Sequence, residues 1–142
     1  MTEMYRKSLS LMERVVTREN LEAAVKSVKR NKGAAGIDGM TVFEIEEHIN
    51  AYYIPLRNKL LDGSYKPQPV KRVEIPKPNG DKRKLGIPCV RDRVVQQAIR
   101  QVIEPIIDPH FMDNSHGFRP GKGTHSALKQ CVNYYEEGYK VV

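Results

Sequence analysis

The stretch Val73-Glu74-Ile75-Pro76-Lys77-Pro78-Asn79-Gly80-Asp81-Lys82-Arg83-Lys84-Leu85-Gly86-Ile87-Pro88 constrains this chain more than any other. Apolar residues alternate at Val73 and Ile75 and return at Leu85 and Ile87, which predicts two short strands flanking a turn centred on Asn79-Gly80. Asn-Gly is a strong hairpin signal because both residues tolerate positive φ. The tip carries Lys77, Lys82, Arg83 and Lys84 against a single acid, Asp81. A hydrophobic core does not need such a cluster, whereas a polyphosphate or a nucleic-acid backbone attracts it. Charged residues also guard exposed sheet edges, so a solvated edge is the competing reading. Lys77 and Arg83 fall on opposite arms of the turn and could converge on one ligand, pairing a mobile point charge with a planar fork suited to phosphate.

The charge distribution sharpens this. Lys and Arg number 24 against 17 Asp and Glu, a net charge of +7. Between Lys66 and Lys84 there are seven basic and two acidic residues, so these 19 positions hold +5 of that +7. The two cysteines, Cys89 and Cys131, have no C-x-x-C spacing, and with the four histidines they form no metal-ligand pattern. They read as buried thiols in a reducing compartment, so a cytoplasmic location is expected. No apolar run approaches the roughly 18 residues of a membrane span, and no signal-peptide core is present at the N-terminus.

The 142 residues suffice for one core. Residues 1–64 read as helical and 65–142 as a hairpin followed by helices. Ser8 to Val16 forms a first helix. Thr17 caps a second whose apolar face is Leu21, Ala24, Val25 and Val28. The Gly-rich segment Gly33 to Gly39 ends it. Thr41 and Glu44 form a capping-box pattern for a third helix that Pro55 kinks or breaks and Asp62-Gly63 ends. Arg91 to Glu104 carries a continuous stripe of Val94, Val95, Ala98, Ile99, Val102 and Ile103, with Pro105 as its stop. A last helix capped by Thr124 shows Leu128, Cys131, Val132 and Tyr135 on one face. Tyr139 to Val142 then reads as an apolar strand whose unpaired edge invites self-association. Because native domains seldom stop on such a run, the chain reads as the front of a longer protein.

Two further loops carry chemistry. The segment from Gly33 to Gly39 is not a P-loop, since no Gly-Lys-Ser/Thr follows it. It is either a flexible connection or a place where small residues let the backbone approach a nucleic acid closely. The loop Ser115-His116-Gly117-Phe118-Arg119-Pro120-Gly121-Lys122-Gly123 sets an aromatic ring beside two cations, a combination used to stack unpaired bases. Phe118 alone reads more readily as a loop anchor buried in the core. No carboxylate pair stands in a catalytic context: Glu46-Glu47 and Glu136-Glu137 lie on helices as solvated faces.

Four segments, in this order, resemble the N-terminal part of group II intron-encoded reverse transcriptases, or intron maturases. They are Gly36-Ile37-Asp38-Gly39-Met40-Thr41, the hairpin from Ile75 through Arg83 to Pro88, Arg91-Asp92-Arg93-Val94-Val95-Gln96-Gln97-Ala98, and His116-Gly117-Phe118-Arg119-Pro120-Gly121. The likeness runs over nearly the whole chain and is weakest in the first fifteen residues. It implies an α+β fold: the fingers of a right-hand polymerase, with N-terminal helices, a small antiparallel sheet and an incomplete palm.

The resemblance also implies roles. Lys77 and Arg83 would contact the triphosphate of the incoming nucleotide. Gly36, Asp38 and Gly39 would lie in a fingertip loop over the template. Lys82, Lys84, Arg91, Arg93, Phe118, Arg119, Pro120 and Gly121 would face template or primer. Partners would be template RNA, intron RNA, a DNA primer and a deoxynucleoside triphosphate. The family's metal-binding aspartates fall beyond this chain, so Mg²⁺ is expected in the longer protein, no cofactor here, and no polymerisation by these residues alone. A non-catalytic RNA-binding module is the competing class. Within polymerases, a retron-type or other bacterial reverse transcriptase is the nearest competitor, and the N-terminal extension with the Gly36 to Gly39 loop favours the intron type.

Overall fold

The computed structural model describes residues 9–140. In order they form α1 (Leu11–Val15), α2 (Arg18–Asn31), α3 (Ile45–Leu61), β1 (Lys71–Pro76), β2 (Lys82–Ile87), α4 (Val90–Ile107), a 3-10 turn (Asp108–His110) and α5 (Thr124–Glu136). The α+β class holds: five α-helices and one two-stranded antiparallel sheet among the described residues. The chain divides into two compact units, Met1–Ile103 and Glu104–Val142.

In the first unit one hydrophobic core is built by α2, α3 and α4. The face expected on α2 is buried at all four positions, Leu21, Ala24, Val25 and Val28. Against it lie Ile45, Ile49, Leu56 and Leu60 of α3, and Val90, Val94, Val95, Ala98 and Val102 of α4. Burying each valine or leucine contributes about 1.5–3 kcal/mol relative to exposure. Residues on both sides of position 64 therefore share this core. Polar ties fix the helices' register: Asn20 donates its amide to the carbonyls of Val15 (2.9 Å) and Ala98 (3.0 Å), and Gln101 donates to the Asn20 side-chain oxygen at 2.8 Å.

The caps show where local signals hold. Thr17 Oγ1 accepts from the Asn20 amide at 3.3 Å, as expected. Of the first helix expected over Ser8 to Val16, Ser8 lies outside the described residues, and the reciprocal capping box of Ser10 and Glu13 starts the helix at Leu11. Glu44 reaches back to the amide and hydroxyl of Thr41, but α3 begins only at Ile45. Pro55 does not break α3, since the buried Leu56 and Leu60 beyond it hold the helix together. Pro105 does not end α4 either. It removes only its own N–H, leaving Ile106 and Ile107 to donate one turn back, and the 3-10 turn stops the helix.

The second unit has no buried residue on α5, so Leu128, Cys131, Val132 and Tyr135 are all exposed. Cys131 is thus a surface thiol rather than the buried one expected, while Cys89 is buried. Gly123, not Thr124, is the N-cap, and the Ser126 hydroxyl serves its backbone instead. The helix closes with Gly138 at a φ of +98° and Tyr139 donating to the Tyr134 carbonyl at 3.1 Å. Tyr139 and Lys140 form no strand, because they complete this helix cap; Val141 and Val142 lie outside the described residues.

Candidate nucleic-acid interface

The hairpin forms where alternation placed it, with Val73 opposite Leu85, Ile75 opposite Arg83 and Pro76 opposite Lys82. Its turn differs. Lys77 donates to the Asp81 carbonyl at 2.7 Å and Gly80 to the Lys77 carbonyl at 3.0 Å, so five residues form the loop rather than two. Pro78 takes the position that suits its fixed φ, Asn79 keeps a negative φ, and only Gly80 turns left-handed, at +87°.

This register sorts the cations. Side chains alternate across a strand, so Arg83 falls on one face with Val73, Ile75 and Leu85, while Lys77 is the first residue of the loop beyond β1. Lys82 and Lys84 fall on the other with Glu74. Glu74 takes Lys82 at 3.0 Å, and Asp81 accepts from the Asn79 amide at 3.1 Å. Among the described residues neither Lys77 nor Arg83 is held in an ion pair, and both are exposed. Gly86 leaves room for Val70, whose Cγ2 would stand 2.9 Å from a methyl group there.

The Gly-rich loop lies against its own fold. A methyl group on Gly36 would lie 2.6 Å from Cys89 Cα, so the small residue serves close approach to the N-terminal end of α4. Asp38 accepts from the Met40 amide at 3.2 Å as a local turn. Gly39 has a φ of +75° and open space around it, and the side chains of Ile37 and Phe43 stand exposed nearby in sequence, Phe43 at 80%.

Arg91 and Arg93 are half-buried. The Arg91 guanidinium lies 5.8 Å from the Tyr52 ring and 5.9 Å from that of Tyr65. Arg93 donates to the Ala34 carbonyl, tying the Gly-rich loop to α4, and its Nε is buried without a partner. Between them sits Asp92, a carboxylate only 3% exposed, which accepts from the Tyr65 hydroxyl and from the Gln68 amide at 2.9 Å. Burial, then the bond to Asp92, pushes the Tyr65 phenol well above its ordinary pKa. Sequence reasoning missed this pair; an Asp in the first turn of a helix gives no sign that it will be buried.

In the second unit Arg119 is a clamp. Its Nε donates to the Asp108 carboxylate at 2.8 Å and its Nη2 to the Asp108 carbonyl at 3.0 Å. Its Nη1 donates to the carbonyls of Met112 (2.8 Å) and Ser115 (3.0 Å). The Arg119 hydrogen bond holds the Asp108 carboxyl below its usual range. Lys122 donates to the Asp113 carbonyl, Pro120 is exposed, and Gly121 turns at a φ of +70°. Phe118 is the opposite of a core anchor: its side chain is fully exposed and its φ is +57°. A bulky residue held left-handed and pushed into solvent is strained, and such strain concentrates at ligand sites.

No group of three or more His, Cys, Asp or Glu that could hold a metal ion is present among the described residues. No described helix is long and apolar enough to cross a membrane.

No model of a known protein family matches the chain. Single proteins do. The chain is 39% identical over 121 residues to protein YkfC of Escherichia coli, covering 84% of this chain and 32% of YkfC. It is 42% identical over 114 residues to the group II intron-encoded protein LtrA of Lactococcus lactis, covering 75% of this chain and 18% of LtrA. The chain is a homologue of the group II intron-encoded proteins. A shorter match, 48% over 52 residues, joins this intron-protein homologue to nuclear intron maturase 4, mitochondrial, of Arabidopsis thaliana, over 37% of this chain and 6% of that protein. The homologue spans about a third of YkfC and under a fifth of LtrA.

Proposed function

We propose that this chain supplies nucleotide and RNA contacts to a group II intron-type reverse transcriptase, as the fingers and the start of the palm of an RNA-directed DNA polymerase. The observation that carries this is the exposed hairpin tip, where Lys77 and Arg83 lie on either side of the turn, free of ion pairs among the described residues, while Glu74 takes Lys82 on the strand face opposite Arg83. A Lys and an Arg flanking one turn are suited to a triphosphate. The Gly39 side of the Gly-rich loop, with Ile37 and Phe43 exposed, is the surface for template, and Phe118 offers an unobstructed ring for an unpaired base. Arg93 and Arg119 act mainly by holding their loops in shape, and Arg91 by its contacts with the Tyr52 and Tyr65 rings. Intron RNA and a DNA primer are the further partners. Mg²⁺ and the catalytic carboxylates belong to the longer protein.

The test is a nuclear magnetic resonance titration of the chain with a deoxynucleoside triphosphate and, separately, with a single-stranded RNA octamer. Backbone amide signals of Lys77 and of Asn79 to Lys84 are expected to move with the triphosphate and to stay still in Lys77→Ala/Arg83→Ala. Movement with RNA alone would replace the polymerase reading with that of a non-catalytic RNA-binding module. No movement with either would overturn the nucleic-acid reading.

A further inference from the structure

A concave site lies in the first unit, where the C-terminal end of α2 meets α4. It has a volume of about 290 Å³ and is walled by the cations Lys32, Arg93 and Arg100 and by the carboxamides of Asn31, Gln96 and Gln97. Among the described residues no carboxylate lines it. The carbonyl end of a helix repels anions, by an effect of about 0.3–1 kcal/mol that fades within one turn. Lys29 and Arg30 in the last turn of α2 oppose that repulsion, and the three wall cations add to them.

We infer that this cleft binds one nucleoside phosphate unit, either a free nucleotide or a link of single-stranded RNA. The cations suit the phosphate. Three carboxamides are not needed for that, but they present paired donors and acceptors of the kind that read base edges. The Gln97 Nε2 donates to Gln101 at 3.2 Å, which fixes the amide's orientation. Arg93 is anchored through Ala34, so its guanidinium is held at the cleft wall with Nε buried and unpartnered. The volume sits at the small end of ligand sites, about 300 Å³ and upward, a scale that suits one nucleotide. Lys32 has a φ of 56° and a ψ of −145°, a region where only glycine is relaxed. A glycine there would serve the backbone better.

Where the RNA is concerned this rests on the reading that the chain binds RNA, and the experiment separates the two. Side-chain amide signals of Asn31, Gln96 and Gln97 are followed during titration with adenosine 5′-monophosphate and with a single-stranded RNA octamer. Both ligands are expected to move them. Lys32→Gly is expected to stabilise the fold yet weaken octamer binding about tenfold, and to flatten its salt dependence by roughly one phosphate contact. Gln96→Glu, at an exposed position, should weaken both ligands without changing stability. Movement with the monophosphate but not the octamer makes the cleft a free-nucleotide site. Octamer binding that leaves these signals still, or is undiminished in Lys32→Gly and Gln96→Glu, overturns the inference while sparing the hairpin. Silence towards both ligands also overturns it.

Discussion

Gly36 packs directly on the backbone of Cys89: a methyl group at position 36 would meet Cys89 Cα at 2.6 Å, its amide nitrogen at 2.8 Å and its sulfur at 2.9 Å. Backbone cannot rotate aside as a long side chain can. Gly36→Ala is therefore expected to cost about 1–3 kcal/mol, the usual range for overpacking, measured by denaturant unfolding. Gly39→Ala meets no atom within 4 Å but has a φ of +75°, so its cost should come from strain alone and stay near 1 kcal/mol.

Tyr65 and Asp92 make stability depend on alkaline pH. The phenol's pKa is raised in the folded state, chiefly by burial and then by its bond to Asp92. Its contribution is therefore complete below the unfolded value of about 10 and is lost as pH rises above it. Unfolding free energy should fall from pH 10 upward in the unaltered chain and fall less steeply in Tyr65→Phe. Parallel curves would show that Tyr65 ionises as freely folded as unfolded.

Arg119 should govern whether the loop from Asp108 to Arg119 stays closed. The bonds from its Nη1 to the carbonyls of Met112 and Ser115 belong to a class worth about 1.5–3 kcal/mol each. Arg119→Ala is expected to raise proteolytic cleavage within this loop by at least about tenfold and to leave cleavage in residues 18–60 unchanged. The pKa of Asp108 is depressed, so the clamp should hold above pH 3.8 and weaken only as pH falls below it.

Phe118 separates stability from binding. Its left-handed backbone is relaxed by glycine, so Phe118→Gly should keep or raise stability by up to about 1 kcal/mol. The same change should weaken single-stranded RNA binding by about 1–3 kcal/mol, the value of one stacked base. An anchoring role would give the reverse: a less stable chain with RNA affinity unchanged.

Much of the first unit was legible because its signals are local or periodic. The buried face of α2 follows from Leu21, Ala24, Val25 and Val28 at i, i+3, i+4 and i+7, and the hairpin register follows from Val73, Ile75, Leu85 and Ile87. Helix ends were less legible. Pro55 and Pro105 look like stops in a one-dimensional reading, but packing beyond Pro55 and free donors beyond Pro105 carry both helices on. The turn was misread because Asn-Gly fits two geometries, and Pro78 ahead of it selects the longer one. The candidate site was visible as charge but not as geometry. Which of Lys77, Lys82, Arg83 and Lys84 share a face requires the register, and the partners of Arg91, Arg93 and Arg119 lie on carbonyls and rings that no motif announces.

The proposed triphosphate-binding role of the hairpin is tested most directly by the fluorescence anisotropy of a labelled deoxynucleoside triphosphate, titrated with the chain and with Lys77→Ala/Arg83→Ala from about 50 to 200 mM salt. Loss of both cations should weaken binding at every salt concentration and flatten its dependence on salt. A folded double variant with the same affinity and the same salt dependence would contradict a phosphate-binding role for this hairpin and leave its charge as a guard on an exposed sheet edge.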